Sequence, residues 1–261
     1  MTSTIDRAVA HEEQQDLVSI ITPAYRCAGL VGETITSVLA QTYPHWELLI
    51  AEDCSPDNTR EIIEYWTKVD SRVKLIGLKC NCGPAVARNA ALERAQGRWI
   101  AFLDSDDVWL PQKLQKCLDF ASAQNAAFIF TGFRRISSTV SQPGRYIGVP
   151  ATLNYRQLLA NTAIATSTVM LDTARTGPIR MRETYYDDFD CWLQILKQGI
   201  VAHGLDADLM RYRVMEKSIS RNKGKSALMV WRAYRDLERL SIPMSLWYFI
   251  QYSVRGVLKY L

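Results

Sequence analysis

The sequence predicts an α/β protein with a mostly parallel sheet flanked by helices. Short apolar runs alternate with amphipathic stretches of helical length from residue 17 to about residue 133, the pattern of βαβ units. One apolar run, Trp99-Ile-Ala-Phe-Leu103, ends abruptly in Asp104-Ser105-Asp106-Asp107, three carboxylates within four positions. Another ends in Glu52-Asp53. In an open parallel sheet, ligands bind beyond the carboxyl ends of the strands, so both acidic groups are placed to face one crevice.

The elements follow in order. Leu17–Ile21 reads as a strand, stopped by Thr22-Pro23. Val31–Gln41 reads as a helix with Val31, Ile35, Val38 and Leu39 on one face. Trp46–Ala51 is a second strand, Thr59–Lys68 a helix and Val73–Leu78 a third strand. Asn81-Cys82-Gly83-Pro84 opens a helix that Gly97 closes, because proline suits a first helical turn and glycine the residues past a helix end. Trp99–Leu103 is the fourth strand. A helix runs from Pro111 to about Gln124, and Ala127–Phe133 forms a further strand. Residues 137–150, rich in Ser, Gly and Pro, read as a loop. The second half is less regular: a Tyr155–Leu159 helix, a Ser167–Leu171 strand, a helix over Asp188–Lys197 and a strand near Ala207–Arg213.

Residues 1–16 read as a loose polar leader without an apolar signal core, which predicts against secretion. No stretch approaches the roughly 20 apolar residues of a membrane span. Residues 17–222 read as the main domain, with 17–110 as one half and 111–222 as the other. Residues 223–261 form a tail with seven Lys or Arg against two acids, interleaved with Trp231, Tyr234, Trp247, Tyr248, Phe249 and Tyr252. Pro243 separates two helices there. Such a tail either lies on a membrane surface or packs back on the domain.

Composition narrows the function classes. The chain has 261 residues, is 48% hydrophobic and 22% charged, and carries a net charge of +4. That mild basicity, with no recognisable nucleic-acid motif, argues against a nucleic-acid partner. The six cysteines lack zinc-site spacing. Cys80-x-Cys82 is too close for a knuckle and has no further ligands nearby. Reduced thiols in a cytosolic protein are expected.

Clustered carboxylates repel, so their placement together calls for a cation. Hard oxygen donors suit Mg²⁺ or Mn²⁺, and these ions suit a phosphate-bearing substrate. The backbone of Pro23-Ala24-Tyr25 and the Tyr25 ring could hold a flat base, and Asp53 could accept hydrogen bonds from ring N–H groups. Arg88, early in its helix, could reach a diphosphate. Each residue alone has a plainer reading: Tyr25 as loop packing, Asp53 as a turn cap, Arg88 as a surface charge and Asp104–Asp107 as a solvated turn. Together and in this order they are far more specific.

The runs Val18-Ser-Ile-Ile-Thr-Pro-Ala-Tyr25, Glu33-Thr-Ile-Thr-Ser-Val-Leu-Ala-Gln-Thr-Tyr43, Glu52-Asp53-Cys-Ser55-Pro-Asp57 and Gly83-Pro-Ala-Val-Ala-Arg88-Asn89-Ala resemble family 2 glycosyltransferases. So do Gly97-Arg-Trp-Ile-Ala-Phe-Leu-Asp104-Ser-Asp106-Asp107, Asp187-Asp188-Phe-Asp190-Cys-Trp192, and Tyr212-Arg213 with Ser218-Ile-Ser220. The resemblance covers roughly residues 17–222 and is closest to bacterial teichuronic acid and capsule-type transferases. It implies a GT-A fold, a nucleotide-diphosphate-sugar donor, inversion at the anomeric carbon and a divalent metal, Mn²⁺ or Mg²⁺.

Carried over by residue, the resemblance implies that Pro23, Ala24, Tyr25 and Asp53 hold the nucleoside, usually uridine, and that Arg88 lies near the diphosphate or the base. It implies that Asp104 contacts the ribose or the metal, that Asp106 coordinates the metal and that Asp188 is the general base. The family usually has Glu where this chain has Asp187, so Asp187 is read either as a diphosphate or acceptor contact or, with Asp190, as tuning the site or capping the helix. Arg213, Lys217 and Ser220, with Tyr212, form either a late loop that closes on the diphosphate or a surface strand end. The implied partners are a UDP-sugar and a lipid-linked saccharide acceptor at the inner face of the cytoplasmic membrane, reached through the tail.

Two other classes compete. A nucleotide-sugar-binding scaffold would not need every acid that is kept here. A haloacid-dehalogenase-like phosphatase also places Asp-x-Asp after a strand, but on its first strand and with Thr or Gly soon after. Here three strands precede the motif, and Val108-Trp109 follows it.

Overall fold

The structure, a computed structural model, describes residues 17–137, 144–161, 164–214 and 223–258. The leader, Lys217 and Ser218-Ile219-Ser220 lie outside the described residues. The elements are β1 (Val18–Ala24), α1 (Val31–Leu39), β2 (Trp46–Glu52), α2 (Thr59–Val69), β3 (Val73–Gly77), α3 (Pro84–Leu92), β4 (Trp99–Phe102), β5 (Val108–Trp109) and α4 (Lys113–Gln124). They continue with β6 (Phe128–Ser137), β7 (Tyr146–Ile147), β8 (Thr152–Leu153), α5 (Tyr155–Leu159), a 3₁₀ turn (Thr166–Thr168), β9 (Met170–Asp172), α6 (Thr173–Thr176), α7 (Asp187–Lys197) and β10 (Ala202–Val214). The tail forms α8 (Lys223–Arg232), a π-helical turn (Ala233–Leu237) and α9 (Ile242–Leu258).

One sheet runs in the order β3-β2-β1-β4-β9-β6-β10-β5. Its first half is parallel, β3 to β4. Period-two alternation in these strands fills two cores, one on each face. Ile21, Leu49 and Phe102 enter one core; Ile20, Leu48 and Ala101 enter the other. Because the four strands are parallel, their carboxyl ends share one edge.

β1 runs through Thr22-Pro23 to Ala24, past its expected stop. The backbone carbonyl of Ile21 accepts from the Leu103 N–H on the β4 side, and β1 pairs with β4 no further than Ile21. Pro23, two residues on, faces that same side beyond the last β4 pairing, so its missing N–H removes no ladder bond.

The second half of the sheet is mixed. β9 lies antiparallel between β4 and β6, while β10 runs parallel to β6. The expected Ser167–Leu171 strand is split into the 3₁₀ turn and β9, and β10 starts earlier than expected, at Ala202. The entry of β9 sets the 3₁₀ turn beside the acidic end of β4, where the Phe102 N–H donates to the Val169 carbonyl at 3.1 Å.

The tail packs back. Val230, Ala233, Tyr234 and Tyr248 are buried in the same core as Leu158, Leu159 and Trp192. Glu238 accepts from Tyr155 on α5 and from Gln194 and Lys197 on α7. The other face of α9 stays open: Met244, Trp247, Ile250 and Val254, spaced three and four apart, are all exposed. Among the described residues no helix is long and apolar enough to cross a membrane.

Candidate active site

A cleft of about 460 Å³ opens beyond the ends of β1, β2 and β4. Pro23, Ala24, Tyr25, Asp53, Arg88, Asp104 and Asp106 all line it. Seven residues read separately from the sequence therefore share one wall. Arg26, Asn81, Gly83 and Ser105 also line it.

The β2 end is held by Asp53. Its N–H donates to the Ala24 carbonyl at 2.8 Å, tying the two strand ends together. Its carboxylate accepts from the Cys82 N–H at 2.8 Å, the Gly83 N–H at 2.8 Å and the Asn81 Nδ2 at 3.0 Å. A carboxylate offers about four acceptor positions, so Asp53 organises the 81–83 loop and retains capacity toward the cleft. Gly83 caps α3 with φ 89° and ψ 167°, a conformation that a side chain would strain. The cap starts α3 so that Arg88, on its second turn, reaches the cleft floor. Tyr25 is 41% exposed on the rim, with the Arg26 guanidinium 5.2 Å from its ring centre.

Arg88 is the junction of the site. It is buried, and it donates through Nη2 to Asp104 Oδ1 at 2.6 Å and through Nη1 to Asp187 Oδ2 at 3.0 Å. Burial alone would lower its pKa. Asp104, Asp187 and Asp188 outweigh that and push it up, so the guanidinium stays charged. One cation thus links the acidic end of β4 to the start of α7.

The Asp104–Asp107 turn is held from three elements. The Thr34 hydroxyl on α1 donates to the carbonyls of Ser105 and Asp107, each at 2.9 Å. The Ser167 hydroxyl in the 3₁₀ turn accepts from the Asp104 N–H at 3.0 Å. Arg213 on β10 donates its backbone N–H to Asp107 Oδ1 at 2.9 Å and its Nε to the Asp106 carbonyl at 2.8 Å, and it pairs with Glu33. Arg213 therefore sits behind the turn and buttresses it. Burial, then Asp106, pushes the Asp107 carboxyl well up. Burial, then Asp104, pushes Asp106 up to about 6.

Asp106 forms no ion pair within 4.0 Å among the described residues, and no group of three or more His, Cys, Asp or Glu that could hold a metal occurs among them. Two carboxylates with an open face form the donor set of a hard divalent ion whose remaining positions go to phosphate and water. Asp104 and Asp106 fit such an ion.

Three acids open the first turn of α7, at the positive end of its dipole. Asp187 pairs with Arg88, and the buried Asp190 takes a two-pronged contact from Arg182. Among the described residues Asp188 pairs with no guanidinium. It accepts from the Thr166 hydroxyl and from the Phe189 N–H, both at 2.6 Å. Burial, then Asp187, raises its pKa, and the Thr166 bond offsets part of the rise. Thr166 and Ser167 escaped sequence reasoning because nothing local marks a 3₁₀ turn as a neighbour of two acids. Asn81 did carry a signal: it precedes the Gly-Pro that opens α3.

The family model for glycosyl transferase family 2 matches residues 19–182. The match ends before Asp187, but full-length relatives extend past it. TuaG of Bacillus subtilis (strain 168), provisionally named as a teichuronic acid biosynthesis glycosyltransferase, is 44% identical over 244 residues, 93% of this chain and 97% of that protein. WfgD of Escherichia coli, a UDP-Glc:α-D-GlcNAc-diphosphoundecaprenol β-1,3-glucosyltransferase, is 37% identical over 247 residues, 94% of this chain and 95% of that protein. Among solved structures, residues 1–349 of TarS from S. aureus in complex with UDP superpose with a TM-score of 0.64 at 17% identity, covering 90% of this chain and 70% of that one. A mannosyltransferase of Pyrobaculum calidifontis, in complex with GDP-Man and Mn²⁺, gives 0.67 at 16%, covering 91% and 73%. At these identities the two structures speak for the fold, which is the GT-A fold that the motifs imply.

Proposed function

This chain belongs to glycosyl transferase family 2 and is a glycosyltransferase, and on that premise we propose that it is an inverting, metal-dependent enzyme. In this reading it moves a hexose or N-acetylhexosamine from a UDP-sugar to a hydroxyl of a lipid-linked saccharide during cell-surface polysaccharide synthesis. The observation that carries it is the double ion pair of Arg88, which joins the acids of the nucleotide cleft to the helix that bears Asp188. Donor and base are thereby fixed in one frame.

The roles follow from the chemistry. Pro23, Ala24, Tyr25 and Asp53 receive the uridine. Asp104 and Asp106 would hold Mn²⁺ or Mg²⁺, which when bound offsets the charge that develops on the departing diphosphate. Inversion is a single in-line displacement. Asp188 takes the proton of the acceptor hydroxyl while its oxygen bonds the anomeric carbon, and the bond from that carbon to the diphosphate oxygen breaks on the opposite face. A raised pKa makes Asp188 a stronger base, provided that it remains ionised at the working pH. Arg213, expected either to close on the diphosphate or to lie at a surface strand end, is buried behind the Asp104–Asp107 turn, and its contacts there support a positioning role instead.

WfgD is named for a UDP-glucose donor and a diphosphoundecaprenol-linked acceptor, which supports both classes, and TarS is described with UDP, which is in keeping with the donor class. The exposed apolar stripe of α9 supports seating on the inner membrane surface. Calorimetry with UDP, with and without Mn²⁺, and a transfer assay with UDP-glucose and UDP-N-acetylglucosamine test the reading. Metal-dependent UDP binding is expected, and binding of no nucleotide overturns it. For the membrane, Trp247→Ser/Ile250→Ser should lose co-sedimentation with anionic vesicles; equal sedimentation by parent and variant refutes that seat.

A further inference from the structure

Cys80 and Cys82 do not enter the mechanism, yet both are exposed and their sulfurs lie 3.0 Å apart. A disulfide needs about 2.05 Å between sulfurs, so roughly 1 Å of movement would join them. The pair sits on the loop that Asp53 holds through the Cys82 and Gly83 N–H groups, next to the cap of the helix that carries Arg88. We propose that Cys80 and Cys82 form a dithiol modification site on the rim of the donor cleft, which disulfide-class oxidants close into a Cys80–Cys82 disulfide that weakens nucleotide binding. The binding consequence rests on the proposed UDP site; the ring closure does not.

The step balances by thiol–disulfide exchange. The Cys80 thiolate attacks one sulfur of the oxidant R–S–S–R and expels RS⁻. The Cys82 thiolate then attacks the Cys80 sulfur and expels the second RS⁻. Two S–H bonds are lost, one S–S bond forms, and the oxidant leaves as two thiols carrying the two protons. The hydrogen bond to Cys80 keeps the Cys82 thiol protonated, pushing it up to about 11, which makes Cys80 the first attacker. A disulfide closing so small a ring is strained and readily reduced, so the site stays open in a reducing compartment and closes under oxidative challenge. Pulling the two sulfurs together re-aims the backbone of residues 80–82 and withdraws N–H donors from Asp53. Cys54 is the other exposed thiol; Cys27, Cys117 and Cys191 are buried.

The test treats the full chain with oxidised glutathione, then reads intact mass, peptide map and UDP affinity by calorimetry with Mn²⁺ before and after dithiothreitol. The expected result is a loss of about 2 Da mapped to the 80–82 loop, UDP affinity at least tenfold weaker, and full recovery on reduction. Cys82→Ser should carry a stable glutathione adduct on Cys80 instead, and Cys54→Ser should close the ring as the parent does. A persistent adduct on Cys80 or Cys82 of the parent, or a closed ring with unchanged UDP affinity, overturns the proposal. If the reduced protein binds no UDP, the nucleotide reading fails, while the mass still decides whether the ring closes.

Discussion

The chain carries two acidic clusters of similar appearance, and the fold treats them differently. At Asp187–Asp190 almost every charge is answered. Arg88 takes Asp187, Arg182 takes Asp190, and the first turn of α7 adds its dipole. At Asp104–Asp107 the support is mostly neutral, from Thr34, Ser167 and the backbone N–H of Arg213. Among the described residues only Asp104 of this cluster has an ion pair, and Asp106 is pushed up to about 6. A compensated cluster can single out one member for proton transfer; an under-compensated cluster asks for a cation. Identical residue types thus support opposite roles through their partners.

Asp188→Asn probes the compensated side most directly. It removes the proposed base and leaves shape and the cleft intact, so turnover should fall by about 10³-fold while UDP affinity stays within a few-fold. Turnover near the parental value would break the comparison at its strongest point. Asp106→Asn probes the other side. Transfer should again collapse, by several kcal/mol of transition-state stabilisation, but here UDP affinity measured with Mn²⁺ should drop to its metal-free level. Retained metal-dependent binding in this variant would remove Asp106 from the ion's ligands.

Arg88→Met cuts the link between the clusters. It leaves Asp104 and Asp187 facing each other without their shared cation, at a cost of about 3 kcal/mol in urea unfolding. A loss below roughly 1 kcal/mol would show that the two clusters are not energetically joined.

The smallest effect is on pH dependence. A carboxyl raised from 3.8 to about 6 binds more protons folded than unfolded between those values. The stability that Asp106 contributes is therefore present below pH 3.8 and is lost as pH rises toward 6. Metal-free protein should lose Tm across that window, and Asp106→Asn should flatten this part of the profile. Turnover should move oppositely, falling on acidification through the raised pKa of Asp188, at a higher pH than an ordinary carboxylate would give.

Much of this was legible in the sequence because it is local. Strand and helix periodicity, the Gly83-Pro84 helix start and the acids closing β2 and β4 depend on neighbours within a few residues. The seven residues read from them line one cleft. Pro23 misled at the end of β1, since whether a proline stops a strand depends on which side still has a neighbour. The tertiary structure alone decided the pairings on which the proposed chemistry rests. Arg88 meets Asp187 across 99 residues, Arg213 meets the Asp106 carbonyl across 107, and Thr166 meets Asp188 because β9 enters antiparallel between β4 and β6. A charge pattern in sequence carries no record of distant partners. Strand order brings those partners within reach, and that order is set by how the whole sheet closes its two cores.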